Sequence, residues 1–132
     1  MSKSPVVSKI MIGILWTLTL LMVAQFMLAS IQKLLMFESD IRRFDNWGYS
    51  TAFLVLIGVM EFGGSALLLL PKTAAYGACV LIAVMIGAAY THIASGVGTP
   101  VVAFINIALL LIILWKRLPG YIARRLSRHE AI

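Results

Sequence analysis

Charged residues are scarce in this sequence. Only 12% of the 132 residues are charged, whereas 61% are hydrophobic. Soluble domains carry about 25% charged residues, and a soluble domain of this size still exposes about a third of its surface to water. The shortage excludes a soluble enzyme, a disordered chain and, despite the net charge of +6, a nucleic-acid-binding protein. It indicates an integral membrane protein.

Cysteine is nearly absent as well, since Cys79 is the only one in the sequence. A single cysteine cannot form an intramolecular disulfide, a C-x-x-C redox pair or a cysteine-based metal site. This excludes the small four-helix membrane oxidoreductases that work by dithiol exchange. The two histidines, His92 and His129, fall in different parts of the expected topology, so no metal site is expected.

Four apolar segments predict four membrane-spanning helices, because a span needs about 20 apolar residues. They lie at about 10–31, 51–70, 74–93 and 101–115. The first segment is longer than the apolar core of a signal peptide and is expected to be retained. Leu118-Pro119-Gly120 is expected to end the fourth helix. The expected fold is an all-α four-helix membrane bundle at 10–117, with an N-terminal arm at 1–9 and a basic tail at 118–132.

Basic residues concentrate on one side of this expected bundle. Four spans place both termini on the same side, which carries Lys3, Lys9, Lys72, Lys116, Arg117, Arg124, Arg125 and Arg128. The positive-inside rule then predicts cytoplasmic termini. The excess charge needs no nucleic acid, because topology and attraction to anionic lipid account for it. The bilayer is the expected partner, and the basic tail also offers a surface for a cytoplasmic protein.

Two residue patterns indicate how the helices pack. The second span has a 3,4-spaced seam that is expected to face inward: Leu54, Gly58, Glu61, Ser65 and Leu68. The third span has small residues at every fourth position, which are expected to let another helix approach closely: Ala75, Cys79, Ala83, Gly87 and Thr91. Gly63 and Gly64 are expected to act in the same way. Aromatic residues are expected at the two membrane interfaces, namely Trp47, Tyr49, Tyr90, Trp115 and Tyr121.

Five polar residues fall within or at the ends of the predicted spans. They are Gln25, Lys33, Glu61, His92 and Asn106. Glu61 is the deepest, about 13 Å from the start of its span at the rise of an α-helix. Polar side chains are costly in a bilayer and usually face a bundle interior or a cavity. Depth and helical phase together predict that the five line an outward-opening cavity.

Each of these residues also has a purely structural interpretation. Glu61 can form a structural ion pair with Lys33 or stay protonated, and Lys33 can extend to the headgroups. His92 can cap a helix C-terminus. Gln25 and Asn106 are more typical of hydrogen bonds between helices. Functionally, the set suits proton exchange with the carbonyl or hydroxyl of a small apolar ligand such as a quinone, or proton binding during transport.

Several motifs in this sequence resemble the DoxX and DoxX-like family of small four-helix membrane proteins. They are ASIQKL at residues 29–34, GVMEFGG at 58–64, LLLP at 68–71 and GAAYTHIASG at 87–96, followed by Pro100. The resemblance extends over about 10–119 in family order. It implies a four-helix bundle in a bacterial cytoplasmic membrane, with recurring polar residues at Lys33, Glu61 and His92.

The resemblance also implies an association with oxidoreductase complexes. Some members are linked to quinone-coupled oxidation of thiosulfate and others to thiol and superoxide defence, while vertebrate relatives are assembly chaperones. The leading hypothesis is a membrane subunit associated with quinone-linked oxidoreduction, with no covalently bound cofactor and no assigned catalytic residue. One alternative is a non-enzymatic assembly or scaffold subunit. The other is a small proton-coupled transporter, which would have to act as a homodimer.

Overall fold

The structure of the protein, a computed structural model, describes residues 5–96 and 98–130, with side chains as far as residue 117. Its elements are α1 (Pro5–Leu34), α2 (Glu38–Asn46), α3 (Thr51–Leu69), α4 (Ala74–Ser95) and α5 (Val101–Glu130). No strand occurs in this part of the chain, which confirms the all-α class. Lys3 and the side chains of Tyr121, Arg124, Arg125, Arg128 and His129 lie outside the described residues.

Three of these helices, α1, α3 and α4, are long and apolar enough to cross a membrane. The helix α1 extends past both ends of the predicted span at 10–31. Its first described residue is Pro5, and proline suits a first helical turn, where its missing N–H has no partner to lose. It ends where Met36 adopts a left-handed backbone conformation, with φ of 56°.

The short helix α2 was not predicted. Its nine residues are too few and too polar for a hydropathy pattern to detect. Only one side of α2 is buried, through Asp40 and Phe44, which are four residues apart and so share a face. Acidic residues in its first turn and Arg43 in its last turn complement the helix dipole.

The expected end of the fourth helix at Leu118-Pro119-Gly120 was wrong. The helix α5 passes through these residues and continues to Glu130. A proline removes one backbone hydrogen bond of a helix and crowds the carbonyl four residues earlier. In α5 the turns on either side of Pro119 keep their helical conformation despite this loss.

Packing of α3 follows the predicted seam. All five seam residues are buried, and Gly64 is buried beside them. At Gly58 an added Cβ would lie 3.1 Å from the Cβ of Lys33. The missing side chain therefore allows α1 to lie close against α3 at that level.

The predicted small-residue stripe on α4 was largely wrong. Cys79, Ala83 and Gly87 are exposed, and a Cβ at Gly87 would meet nothing within 4 Å. The close approach is made instead by Gly77, where a Cβ would lie 2.6 Å from both the Gly64 carbonyl oxygen and the Leu68 backbone nitrogen. A four-residue repeat identifies a helix face but does not show which face meets a neighbour.

The two ends of the bundle differ in how densely they are packed. We call the end that carries α2 the α2 end, and the opposite end, where residues 70–73 join α3 to α4, the Pro71 end. α3 packs along α1 and α4, and α5 packs along α4. The buried core cluster contains Met22, Val23, Phe26, Leu68, Ala74, Ala78, Leu81, Leu110 and Ile113. Several of these residues adjoin the α3–α4 turn, so apolar packing is densest toward the Pro71 end.

We expect Gly77→Ala to destabilise the bundle by about 1–3 kcal/mol, because its methyl group would press on backbone atoms that cannot move independently. Gly87→Ala in the same helix is the matched control, since its methyl group meets open space. Thermal unfolding in detergent should show a lower midpoint for Gly77→Ala only. Equal midpoints for the two variants would contradict the close α3–α4 contact.

Candidate functional site

A cavity of about 490 Å³ lies within the bundle at the α2 end. Residues from α1, α3, α4 and α5, together with α2 and the segment that follows it, form its walls. All five sequence-predicted site residues line this cavity: Gln25, Lys33, Glu61, His92 and Asn106. Most of the other lining residues are aliphatic or aromatic, so the cavity is an apolar chamber with a few polar groups.

The strongest polar feature of the cavity is an ion pair between α1 and α3. The ammonium nitrogen of Lys33 donates to Oε2 of Glu61 over 3.2 Å, and the two side chains are 11% and 3% exposed. Two buried charges are tolerated when they satisfy each other, and either one alone is costly. The pair therefore couples the position of α1 to that of α3.

Aromatic residues of α2 and the following segment cover the cavity. Phe44 packs against Trp47, Tyr49 and Phe53, with ring centroids 5.4, 6.0 and 6.2 Å away. The hydroxyl groups of Tyr49 and Thr91 are hydrogen-bonded at 2.7 Å, which ties this cover to α4. Trp47 and Tyr49, which the sequence predicts at the membrane interface, both line the cavity.

His92 is half-buried at the edge of this aromatic cover. Its ring meets the Trp47 ring edge to face, with centroids 5.1 Å apart. A Cβ at Gly98 would lie 2.8 Å from Nδ1 of His92, and Gly98 has φ of +79°. Glycine at this position therefore leaves room for the imidazole, and the backbone conformation also favours it. α4 ends at Ser95, and the left-handed conformation of the following residue, Gly96, is typical of a helix C-terminus.

The two amides differ in their surroundings. Asn106 is 5% exposed, and its Nδ2 lies 3.7 Å from the sulfur of Met85, a contact between α5 and α4. Gln25 is exposed although it lines the cavity. Asn106 thus makes a contact between helices, which is the structural interpretation given to it in the sequence analysis. Gln25 lies at the rim of the cavity.

Asp40 is a buried acid that the sequence did not single out. It is 3% exposed, with Oδ1 3.4 Å from Nη1 of Arg43 and Oδ2 without a hydrogen-bond partner among the described residues. In the sequence it lies between the first two predicted spans, among other charged residues. Its four-residue spacing from Phe44 is the signal that would have found it.

The arrangement offers an ammonium donor, a carboxylate acceptor and an aromatic wall around one chamber. Such a chamber suits an apolar molecule with a small polar head, because ligand sites are mostly apolar with a few placed polar groups. Among the described residues, no three His, Cys, Asp or Glu side chains lie close enough together to hold a metal ion.

Lys33→Met leaves the Glu61 carboxylate buried without its partner, so we expect a loss of about 3 kcal/mol or more in the free energy of unfolding. The double variant Lys33→Met, Glu61→Leu removes both charges and should recover most of that loss. Arg42→Met breaks the exposed Glu38–Arg42 pair and should cost less than about 1 kcal/mol. Denaturant titration in detergent measures all three. A Lys33→Met effect as small as that of Arg42→Met would show that the buried pair contributes little.

Comparison with known proteins identifies the family of this chain. Neither a curated protein nor a solved structure matches the chain. The DoxX-like family matches residues 17–115, which include α3 and α4, most of α1, and all five predicted site residues. This range is well over half of the chain, and it confirms the resemblance carried by the motifs in α1, α3 and α4. The protein is a member of the DoxX-like family.

Proposed function

We propose that this DoxX-like protein binds a quinone-type molecule in the cavity at the α2 end and serves as a membrane subunit in quinone-linked oxidoreduction. One observation carries the proposal: the Lys33–Glu61 pair lies in the wall of an otherwise largely apolar chamber of about 490 Å³. A quinone has matching chemistry, with a flat apolar ring and two oxygen atoms.

Each polar group has a distinct role in this proposal. The Lys33 ammonium donates a hydrogen bond to a quinone carbonyl oxygen, and the Glu61 carboxylate accepts one from a hydroquinone hydroxyl. His92 supplies a second polar contact at the edge of the Trp47 ring. The aromatic cover, formed by Phe44, Trp47, Tyr49 and Phe53, contacts the quinone ring and excludes water.

In the proposed topology α5 is the fourth span, and both termini are cytoplasmic in a bacterial cell. The charge distribution supports this orientation, because the Pro71 end carries Lys72, Lys116 and Arg117 without acidic neighbours in sequence. The α2 end then faces the outer side, and the cavity lies in the outer half of the membrane.

A partner protein completes the proposal. Converting a quinone to a hydroquinone takes up two electrons and two protons. Lys33, Glu61 and His92 offer sites for protons, and an oxidoreductase that docks on this subunit would supply or remove the electrons. The chain's part is to hold the headgroup and mediate proton exchange.

The test is thermal unfolding of the purified protein with and without a decyl-tailed benzoquinone. A ligand that binds only the folded state adds about 2.7 kcal/mol of stability at a hundredfold excess over its dissociation constant. With the hydroquinone form of the same molecule, Glu61→Gln should reduce the upward shift, because a neutral amide replaces the carboxylate that accepts from the hydroxyl. Glu38→Gln, an exposed carboxylate on α2, is the control and should keep the full shift.

Two outcomes would contradict the proposal. If no quinone shifts the wild-type midpoint, the cavity is not a quinone site and an assembly or scaffold function is favoured. If Glu61→Gln responds as fully as wild type, the ion pair takes no part in binding.

A further inference from the structure

The long helices close the bundle unequally around its circumference. Over the described residues α1 and α5 make a much smaller contact than the α1–α3, α3–α4 and α4–α5 pairs. Toward the Pro71 end the two helices do meet: the Arg117 guanidinium lies 4.9 Å from the Trp16 ring centroid. Met22 and Leu110 also belong to one buried core cluster. The α1–α5 side is therefore sealed by packing toward the Pro71 end.

Toward the α2 end the same two helices line the cavity without closing over it. Gln25 and Ala29 of α1, and Val102 of α5, all line the chamber. Gln25 is nevertheless exposed, and Val102 is 59% exposed. Because α1 and α5 make the smallest contact of the neighbouring long helices, an exposed lining residue on either of them lies at the rim of the opening between them. On the flank of a membrane-spanning bundle, that rim borders lipid.

Polarity changes from this rim toward the ion pair inside the chamber. At the rim Ala29 and Val102 are apolar and Gln25 is uncharged, while the charged Lys33–Glu61 pair is buried. Above the chamber, Phe44 is only 6% exposed and seals α2 against the bundle. A molecule with a polar head and an apolar tail fits this gradient, with its head at the ion pair and its tail leading out between α1 and α5.

We infer that the gap between α1 and α5 is a lateral portal, through which a long-tailed quinone enters from the leaflet at the α2 end and leaves its tail in the lipid. The inference rests on the proposed quinone function and adds the class of ligand, a membrane-dissolved quinone, and its route. Water-soluble ligands would have to pass the aromatic cover instead.

The test compares two tryptophan variants in lipid nanodiscs. Val102→Trp places a large ring at the rim. Val101→Trp is the matched control, because Val101 is 54% exposed but does not line the cavity. Binding is measured for a decyl-tailed benzoquinone and for the same headgroup without a tail. Val102→Trp should weaken binding of the tailed quinone by about tenfold or more and leave the tailless one nearly unchanged. Val101→Trp should change neither.

A second pair of variants tests the other side of the portal. Ala29 lines the cavity, so the ring of Ala29→Trp would lie there. Its neighbour Leu28 is 64% exposed and does not line the cavity, so Leu28→Trp is the matched control. Ala29→Trp should discriminate between the two quinones as Val102→Trp does, and Leu28→Trp should not. If Val102→Trp fails to fold, the two α1 variants, Ala29→Trp and Leu28→Trp, still test the portal.

The remaining outcomes separate the portal from the quinone site. Equal weakening of both quinones by the rim variants would overturn the portal, because the new ring would then only fill the headgroup site. Unchanged binding of both would show that ligands enter elsewhere. If wild type binds neither quinone, the proposed function itself fails and the portal fails with it.

Discussion

The buried Lys33–Glu61 ion pair is the constraint on which the rest of the site depends. Its two charges are 3.2 Å apart and almost fully withdrawn from solvent, so neither is tolerated without the other. The pair forms because Gly58 lets α1 approach α3: a Cβ added at Gly58 would lie 3.1 Å from the Cβ of Lys33. The absence of a side chain at Gly58 thus lets Lys33 of α1 reach Glu61 of α3. The ion pair then opposes sliding of these two helices along each other.

The two ends of the bundle meet different demands. Backbone contact at Gly77 and a continuous aliphatic cluster give dense packing toward the Pro71 end. At the α2 end the polar residues prevent a wholly apolar core, and a chamber remains beneath the aromatic cover. The bond between Tyr49 and Thr91 fixes that cover to α4. The bundle is thus densely packed toward one end and contains a chamber at the other.

Much of this arrangement was predictable from single-helix patterns. The inward seam of α3 followed from its 3,4 spacing, and depth with helical phase brought Gln25, Lys33, Glu61, His92 and Asn106 to one chamber. Contacts that depend on neighbouring helices were not predictable. The prediction that the small-residue stripe of α4 packs against another helix was largely wrong, because a four-residue repeat does not show which face of the helix meets α3. The helix α2, with its buried Asp40, escaped notice because nine mostly polar residues resemble a loop in a hydropathy profile.

The central claim is that the Lys33–Glu61 pair marks the headgroup site of a membrane quinone. Photoaffinity labelling with an azido-benzoquinone, followed by peptide mapping, tests it most directly. The account predicts labelling of cavity-lining residues near Lys33, Trp47 and His92, and loss of that labelling with excess unlabelled quinone. Labelling confined to lipid-facing residues such as Leu20 and Leu21, or labelling that excess quinone does not reduce, would contradict the claim.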